Sequence, residues 1–285
     1  MAKEATNKGH SEIRQKSISR GPVRCPKDYL TGREVSEMKR AILTTVVLTI
    51  LATLMWVLPA RAQNDPERPK GLDDRGPLTK ITFIHYKKGY GKPTGGPGKP
   101  KTITCYSFLA NGAKWKTTED YLINPTNPDE LHENFVMSAI EAGVSEWEKH
   151  AEKNIFGSSS KDATISFNES MDGKNTASFG PYPEPGVIAI ANVWGFFGGP
   201  PQTRELVEWD ILFNDVFTWG DATTNPSLMD LQNIATHELG HSAGMDDLYT
   251  TSCNLETMYG YSIEGETIKR DLNTGDIAGI MKLYQ

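Results

Sequence analysis

The stretch HELGHSAGMDD, residues 237–247, contains two histidines and a glutamate at a spacing that suits metal binding and proton transfer. His237 and His241 stand four residues apart, which on a helix places both imidazoles on one face, within reach of one ion. Glu238 lies about 100° further round the helix and directs a carboxylate towards the open side of that ion. There it can move a proton between water and a leaving amine, so the spacing predicts metal-assisted peptide hydrolysis.

A third ligand is expected shortly after these histidines. Gly244 is predicted to end the helix in a left-handed conformation, and the turned chain then delivers Asp247, which completes the pattern H-E-x-x-H-x-x-G-x-x-D. Zinc accepts a carboxylate oxygen at about 2.0–2.2 Å, so an aspartate is an admissible third ligand. Asp246 is the alternative ligand, or else a residue of the turn.

The pattern resembles the signature of the metzincin metallopeptidases, in the minority form that has aspartate as the third ligand, as in snapalysin-type enzymes. The segment LETMYGY, with Met258 seventeen residues after His241, resembles the metzincin Met-turn, an apolar floor beneath the metal. The closing segment TGDIAGIMKLYQ resembles the terminal helix of matrixin catalytic domains. The resemblance covers approximately residues 115–284.

The resemblance implies one catalytic zinc held by His237, His241 and Asp247, with Glu238 as the base. It also implies an α+β fold, with a twisted mixed sheet of about five strands, a long helix, a motif helix and a C-terminal helix. Protein or peptide substrates would pair as extended strands with an edge strand of that sheet. The strand expected in that role contains Ile188, Ala189, Ile190, Ala191 and Asn192.

Two other functions compete with this interpretation. A thermolysin-like zinc peptidase would take its third ligand from a glutamate further downstream, such as Glu264 or Glu266. A secreted surface protein could instead keep a non-catalytic zinc, although a closed structural site has no use for a base at Glu238. Calcium is a further candidate ligand, because hard oxygens cluster before the motif helix, with a solvated acidic loop as the alternative. The residues concerned are Asp210, Asn214, Asp215 and Asp221.

Charge is distributed unevenly along the 285 residues. Residues 1–62 carry 11 Lys/Arg and 5 Asp/Glu, which leaves 19 basic and 31 acidic residues in the rest of the chain. An acidic body without a basic stripe argues against nucleic acid as a partner. We expect a monomer that acts on proteins or peptides.

Residues 38–62 have the composition of a secretory signal peptide. Lys39 and Arg40 precede an apolar run, residues 41–58, and Ala-Arg-Ala precedes Gln63 as a cleavage site. The alternative is an uncleaved membrane anchor, since the run is near the lower limit of roughly 18 residues for spanning a bilayer. Residues 1–37 are then a spurious or disordered leader. A secreted, extracellular location is predicted.

Cysteine usage agrees with export. Cys25 lies in the leader, which leaves Cys105 and Cys253 as a pair for one disulfide. The alternative is a free Cys105 that caps the metal in a latent form.

The remaining chain divides into an extension and a catalytic domain. Residues 63–102 are rich in Gly, Pro and Lys around one short strand, ITFIHY, and are predicted to be a flexible N-terminal extension or a short pro-segment. Residues 103–285 form the catalytic domain, with helices expected at 127–153, 228–243 and 274–283. Strands are expected at 120–126, 163–170, 176–180, 186–196 and 205–215.

Overall fold

The computed structural model describes residues 75–91 and 104–285. Within these ranges the strands are β1 (Leu78–Lys87), β2 (Glu119–Ile123), β3 (Phe156–Lys161), β4 (Asn175–Gly180), β5 (Val187–Phe196), β6 (Glu205–Asn214), β7 (Trp219–Gly220), β8 (Met229–Asp230) and β9 (Tyr261–Ser262). The helices are α1 (Glu133–Ala151), α2 (Leu231–Ser242) and α3 (Thr274–Tyr284), and the 3₁₀ turns are Leu109–Asn111, Pro201–Thr203, Thr251–Cys253 and Ile268–Arg270.

One mixed sheet of seven strands dominates the fold, in the order β3-β2-β4-β6-β5-β1-β9. β2, β3, β4 and β6 run parallel, whereas β5 is antiparallel to both of its neighbours. β7 and β8 form a separate two-stranded ribbon before the motif helix α2. The predicted α+β architecture with three helices is confirmed, and the sheet has two strands more than the five expected.

β1 belongs to the sheet, which corrects the predicted boundary of the folded part. The strand ITFIHY was expected inside a flexible segment, residues 63–102, with the domain beginning near position 103. Nine residues, from Leu78 to Tyr86, instead pair antiparallel with β5. β5 is therefore not the free edge that was predicted for Ile188, Ala189, Ile190, Ala191 and Asn192, because β1 occupies its outer side.

The signal peptide predicted at residues 38–62 and the leader at residues 1–37 lie outside the described residues. Among the helices of residues 75–91 and 104–285, none is long and apolar enough to cross a membrane.

The long helix α1 begins later than the sequence predicted. His132 is its N-cap, and the side chain accepts a hydrogen bond from the backbone of Asn134. Asn127, where the helix was expected to begin, instead closes a local turn by accepting from the backbone N–H groups of Asp129 and Leu131. One face of α1 is buried. Its members include Val136, Ile140, Val144 and Trp147.

The strand β3 also differs from its prediction. Residues 163–170 were expected to be a strand, but the strand that pairs with β2 is Phe156–Lys161. Its sequence, FGSSSK, is mostly polar, which suits the outermost strand of the sheet, where three of the six residues are exposed. The Asp162 carboxylate accepts from the backbone N–H of Thr164, which favours a turn where a strand was expected.

The motif helix α2 begins three residues after the predicted Leu228. Asp230 caps it by accepting from the backbone N–H of Asn233, and Arg270 donates from Nε to the same carboxylate at 2.8 Å. α2 is buried on nearly all sides, and the indole Nε1 of Trp147 donates to the Thr236 carbonyl at 2.7 Å. These contacts position α2 against α1 and the sheet.

The C-terminal helix and the disulfide agree with their predictions. α3 covers Thr274–Tyr284 and begins with a capping box formed by Asn273 and Asp276. Cys105 and Cys253 are joined by a disulfide, with a Cα–Cα distance of 5.4 Å. The bond connects the first residues after position 103 to the segment that precedes Met258.

Candidate metal centre

Three side chains from α2 and the turn after it converge on one point. Asp247 Oδ1 lies 3.4 Å from His237 Nε2 and also 3.4 Å from His241 Nε2. Zinc bonds of about 2.0–2.1 Å at tetrahedral angles separate ligand atoms by about 3.3–3.4 Å. The three side chains thus have a spacing that fits a zinc ligand set.

Unpartnered polar atoms support the same conclusion. His237 Nε2 and Asp247 Oδ1 are buried, and among the described residues neither has a hydrogen-bond partner; Asp247 Oδ1 contacts Nε2 of His237 and of His241 at 3.4 Å each. A buried donor or acceptor left without a partner costs about 1–3 kcal/mol. A cation at this point would coordinate both atoms, so the chemistry of the site fits a divalent metal with nitrogen and oxygen ligands.

Backbone carbonyls orient both imidazoles. Nδ1 of His237 lies 2.7 Å from the Thr257 carbonyl oxygen, and Nδ1 of His241 lies 3.1 Å from the Met245 carbonyl oxygen. Each Nδ1–H can only donate to a carbonyl, which leaves Nε2 unprotonated and directed at the metal position. The residues that supply these carbonyls follow the helix and were not identified from the sequence.

Tyr249 orients the side chain of Asp247. Its hydroxyl donates to Asp247 Oδ2 at 3.0 Å, so that carboxylate oxygen is occupied and Oδ1 faces the histidines. The sequence interpretation missed Tyr249. Its position two residues after Asp247 in an extended segment is the signal that could have identified it, because side chains at i and i+2 share a face.

Gly244 ends α2 as predicted. It has φ +100°, in the left-handed region, and a side chain there would collide with the Ala113 carbonyl. The backbone N–H of Met245 bonds back to the Gly240 carbonyl at 2.9 Å, which closes the turn. This turn delivers Asp247 to the metal position.

The predicted Met-turn lies directly against the helix between the two histidines. Met258 is fully buried, and a Cβ added to Gly240 would meet its sulfur. The carboxylate of Asp276 accepts from the backbone N–H groups of Thr257 and Met258 at 2.6 Å and 3.2 Å. α3 therefore supports the turn, and the turn supports the ligand helix.

Burial and mutual interactions set the charge of the site. Burial lowers the pKa of His237 to about 4. Burial also opposes charge on Asp247 and on His241. The attraction between the carboxylate of Asp247 and the imidazoles beside it is stronger, so the pKa of Asp247 falls and the pKa of His241 rises. Burial raises the pKa of Glu238 to about 8. The cluster consequently combines an ionised third ligand with a carboxyl group that holds a proton tightly.

Other predicted ligands lie elsewhere. Asp246 accepts from the Ser107 hydroxyl at 3.5 Å, and Glu264 pairs with Lys87 at 2.5 Å. Glu266 accepts from the Ser262 hydroxyl. None of the three belongs to a group of converging ligand atoms within the described ranges.

The calcium prediction is not supported. Asp210 accepts from the Thr176 hydroxyl, Asn214 bonds the backbone of Tyr182 and Val187, and Asp221 pairs with Arg270. The four expected oxygen donors, Asp215 included, do not form a common group among the residues that the structure describes.

Two residues of β1 enter the site unpredicted. His85 Nδ1 lies 3.0 Å from Glu238 Oε1, and its ring lies 3.9 Å from the His237 ring. Phe83 stacks on His241 with ring centroids 3.8 Å apart. No local signal links these residues to α2, because more than 150 positions separate them in the chain.

A buried helix with two histidines and a glutamate, an aspartate after a glycine turn, and a methionine turn beneath match the arrangement expected of a metzincin metal centre. Comparison with known proteins agrees. The matrixin family model matches residues 114–285, so the chain belongs to the matrixin family. The chain is also similar to Metalloendoproteinase 1 of Glycine max, with 28% identity over 185 residues, which cover 64% of this chain and 56% of that relative.

Proposed function

We propose that the protein is a secreted zinc endopeptidase that hydrolyses peptide bonds in protein or peptide substrates. The observation that carries the proposal is the pair of 3.4 Å distances from Asp247 Oδ1 to the two histidine Nε2 atoms, next to a glutamate that is not itself a member of that ligand set.

The metal and the protein have separate tasks. His237, His241 and Asp247 would hold the ion, and zinc supplies the Lewis acidity that activates water and polarises a peptide carbonyl. Asp247 adds one negative charge to the ligand set, which reduces that Lewis acidity relative to three neutral ligands. Tyr249 partly offsets this effect, because its hydroxyl donates to the carboxylate oxygen that does not face the metal position.

Glu238 is the proton carrier. Its Oε2 is buried without a hydrogen-bond partner in the part of the chain that the structure describes, while Oε1 contacts His85. A carboxylate there can take a proton from water at Oε2 and deliver it to the nitrogen of the leaving amine. Burial strengthens its hold on the proton during the interval between the two transfers.

Zinc content and peptide cleavage together test this assignment. In Asp247→Ala the incomplete ligand set should lose zinc and activity together, and Asp247→His should restore zinc and some cleavage. Glu238→Gln should retain zinc and lose cleavage by a factor of at least about 10². The measurements are elemental analysis after mild chelation and casein hydrolysis with and without chelator. Equal zinc content in the wild type and Asp247→Ala would contradict the ligand assignment.

The thermolysin-like alternative has less support. Glu264 and Glu266 are engaged with Lys87 and with Ser262, respectively. The alternative of a non-catalytic zinc site would be favoured if Glu238→Gln retained zinc and left the rate of casein hydrolysis unchanged.

Secretion rests on the sequence and on the disulfide. Structural disulfides persist in oxidising compartments, and Cys105 and Cys253 are joined in this chain. N-terminal sequencing of exported protein should begin at or near Gln63. Recovery of only a full-length, membrane-retained species would contradict cleavage of a signal peptide.

A further inference from the structure

β1 covers the edge of the sheet on which an extended substrate would bind. β5 runs antiparallel to β1, with Ile84 opposite Ile190 and Thr82 opposite Asn192. A peptide that adds to a sheet uses the backbone N–H and C=O groups of the edge strand. Because β1 already uses the outer groups of β5, a substrate strand and β1 cannot occupy that position together.

β1 also covers the candidate metal centre. Phe83 and His85 are the buried residues of β1, and both project from one face of the strand. Phe83 lies flat on His241, at an interplanar angle of 9°, and His85 contacts both His237 and Glu238. With β1 in place His237 and Glu238 are 0% exposed, so a peptide carbonyl cannot reach the base in this arrangement.

His85 is also placed to compete for the metal. Its Nδ1 lies 3.0 Å from Glu238 Oε1, whereas its Nε2 is buried with no hydrogen-bond partner among the described residues. His85, His237 and Glu238 each bring a ligand atom within 4.8 Å of the others, which makes a second cluster beside the ligand set. A neutral imidazole is a common zinc ligand, so His85 is a candidate for an additional ligand that would close the site.

β1 is held in a way that permits exchange. On its outer side it pairs with β9 at Tyr86 and Lys87 alone, and the first residues of the strand, beginning at Leu78, are exposed. An incoming peptide would restore on β5 the type of backbone hydrogen bond that β1 gives up, so displacement leaves few backbone groups unsatisfied.

We propose that β1 is an autoinhibitory strand, which occupies the substrate edge of its own molecule and closes the metal centre through His85. The inference rests on the proposed function, since it assigns a latent state to that same site. Displacement of β1 by substrate or by another process would open the centre.

The test measures access to the metal separately from turnover. Zinc-loaded full-length chain is titrated calorimetrically with acetohydroxamate, a small zinc chelator. If β1 covers the centre in nine molecules of ten, His85→Ala should raise the apparent affinity by up to about tenfold, because affinity scales with the fraction of open molecules. Zinc content should stay equal. His150→Ala, which removes an imidazole from α1, and Thr79→Ala, on the exposed part of β1, are matched controls that should leave the affinity unchanged.

Hydrogen exchange of the wild type provides a measurement that needs no substitution. Saturating acetohydroxamate should accelerate amide exchange in Leu78–Lys87 while β4 and β6 keep their protection. Protection of β1 that persists with the probe bound, together with equal probe affinity in the wild type and His85→Ala, overturns the inference.

Casein hydrolysis separates this inference from the proposed function. We expect His85→Ala to cleave faster than the wild type. A variant that binds acetohydroxamate more tightly but cleaves nothing supports β1 as a cover and contradicts the peptidase assignment. Equal cleavage and equal probe affinity in both proteins support the peptidase and contradict the inference.

Discussion

Gly240, between the two histidines of α2, offers a test of how the Met-turn supports the ligand helix. A Cβ on Gly240 would meet the Met258 sulfur and would lie 2.6 Å from Cζ2 of Trp147. Carbon atoms in contact are ordinarily about 3.5–4.0 Å apart, so a methyl group requires movement of about an ångström. Trp147 cannot readily give way, because its Nε1 is bonded to the Thr236 carbonyl.

The size of the effect follows from two opposing contributions. Alanine is favoured over glycine in a helix interior by about 1 kcal/mol, so an unhindered Gly240→Ala change would stabilise the protein. Overpacking of a filled core costs about 1–3 kcal/mol, and two simultaneous collisions place this site near the upper end. We therefore expect a net loss of about 2 kcal/mol, or a decrease in Tm of about 4–8 °C for a domain of this size.

A double-mutant cycle with Met258→Ala is the decisive assay. Urea denaturation would give the free energy of unfolding of the wild type, both single variants and the double variant. Removal of the sulfur relieves one collision, so the double variant should be more stable than the sum of the single effects predicts, by at least about 1 kcal/mol. A Gly240→Ala variant that is more stable than the wild type, or strictly additive effects, would refute the proposed contact.

Three further predictions concern the surroundings of the site. Arg270→Ala leaves the buried carboxylate of Asp230, at the start of α2, without its cation. It should lower the free energy of unfolding, measured by urea denaturation, by about 3–5 kcal/mol. The control Lys149→Ala, at an exposed ion pair, should change it very little. Burial raises the pKa of Asp210 to about 7, whereas an aspartate in an unfolded chain has a pKa of about 3.9. Between these two values the folded state keeps a proton that the unfolded state loses, so the free energy of unfolding falls as the pH rises from about 4 to about 7. Asp210→Asn should flatten the dependence of Tm on pH in that window, and profiles that differ only by a constant offset would contradict this assignment. Tyr249→Phe removes the hydroxyl that orients Asp247, the proposed third ligand. It should weaken zinc binding by about 10–100-fold in a chelator competition, with the fold intact by circular dichroism. Unchanged affinity would show that Asp247 needs no such partner.

The sequence by itself determined the features that depend on neighbours close along the chain. The His237 and His241 spacing, the glycine turn at Gly244 and the arrival of Asp247 three residues later all lie within eleven residues, so helix geometry relates them directly. The apolar period of α1 and the capped start of α3 are local in the same sense. Cysteine parity was sufficient to pair Cys105 with Cys253, although their distance in sequence is 148 residues.

Only the tertiary structure decided where β1 lies and what it touches. A short apolar strand can pair with any available edge, and its backbone bonds carry no information about which edge that is. ITFIHY between Pro- and Gly-rich flanks therefore indicates a strand but no partner, and the sequence predicts a free edge at β5 because the neighbour of β5 comes from about a hundred residues earlier. The contact of His85 with Glu238 joins residues that are 153 positions apart in the sequence, and it depends on the register in which β1 pairs with β5. Local geometry brings His237, His241 and Asp247 together, whereas long-range strand pairing places β1 over them.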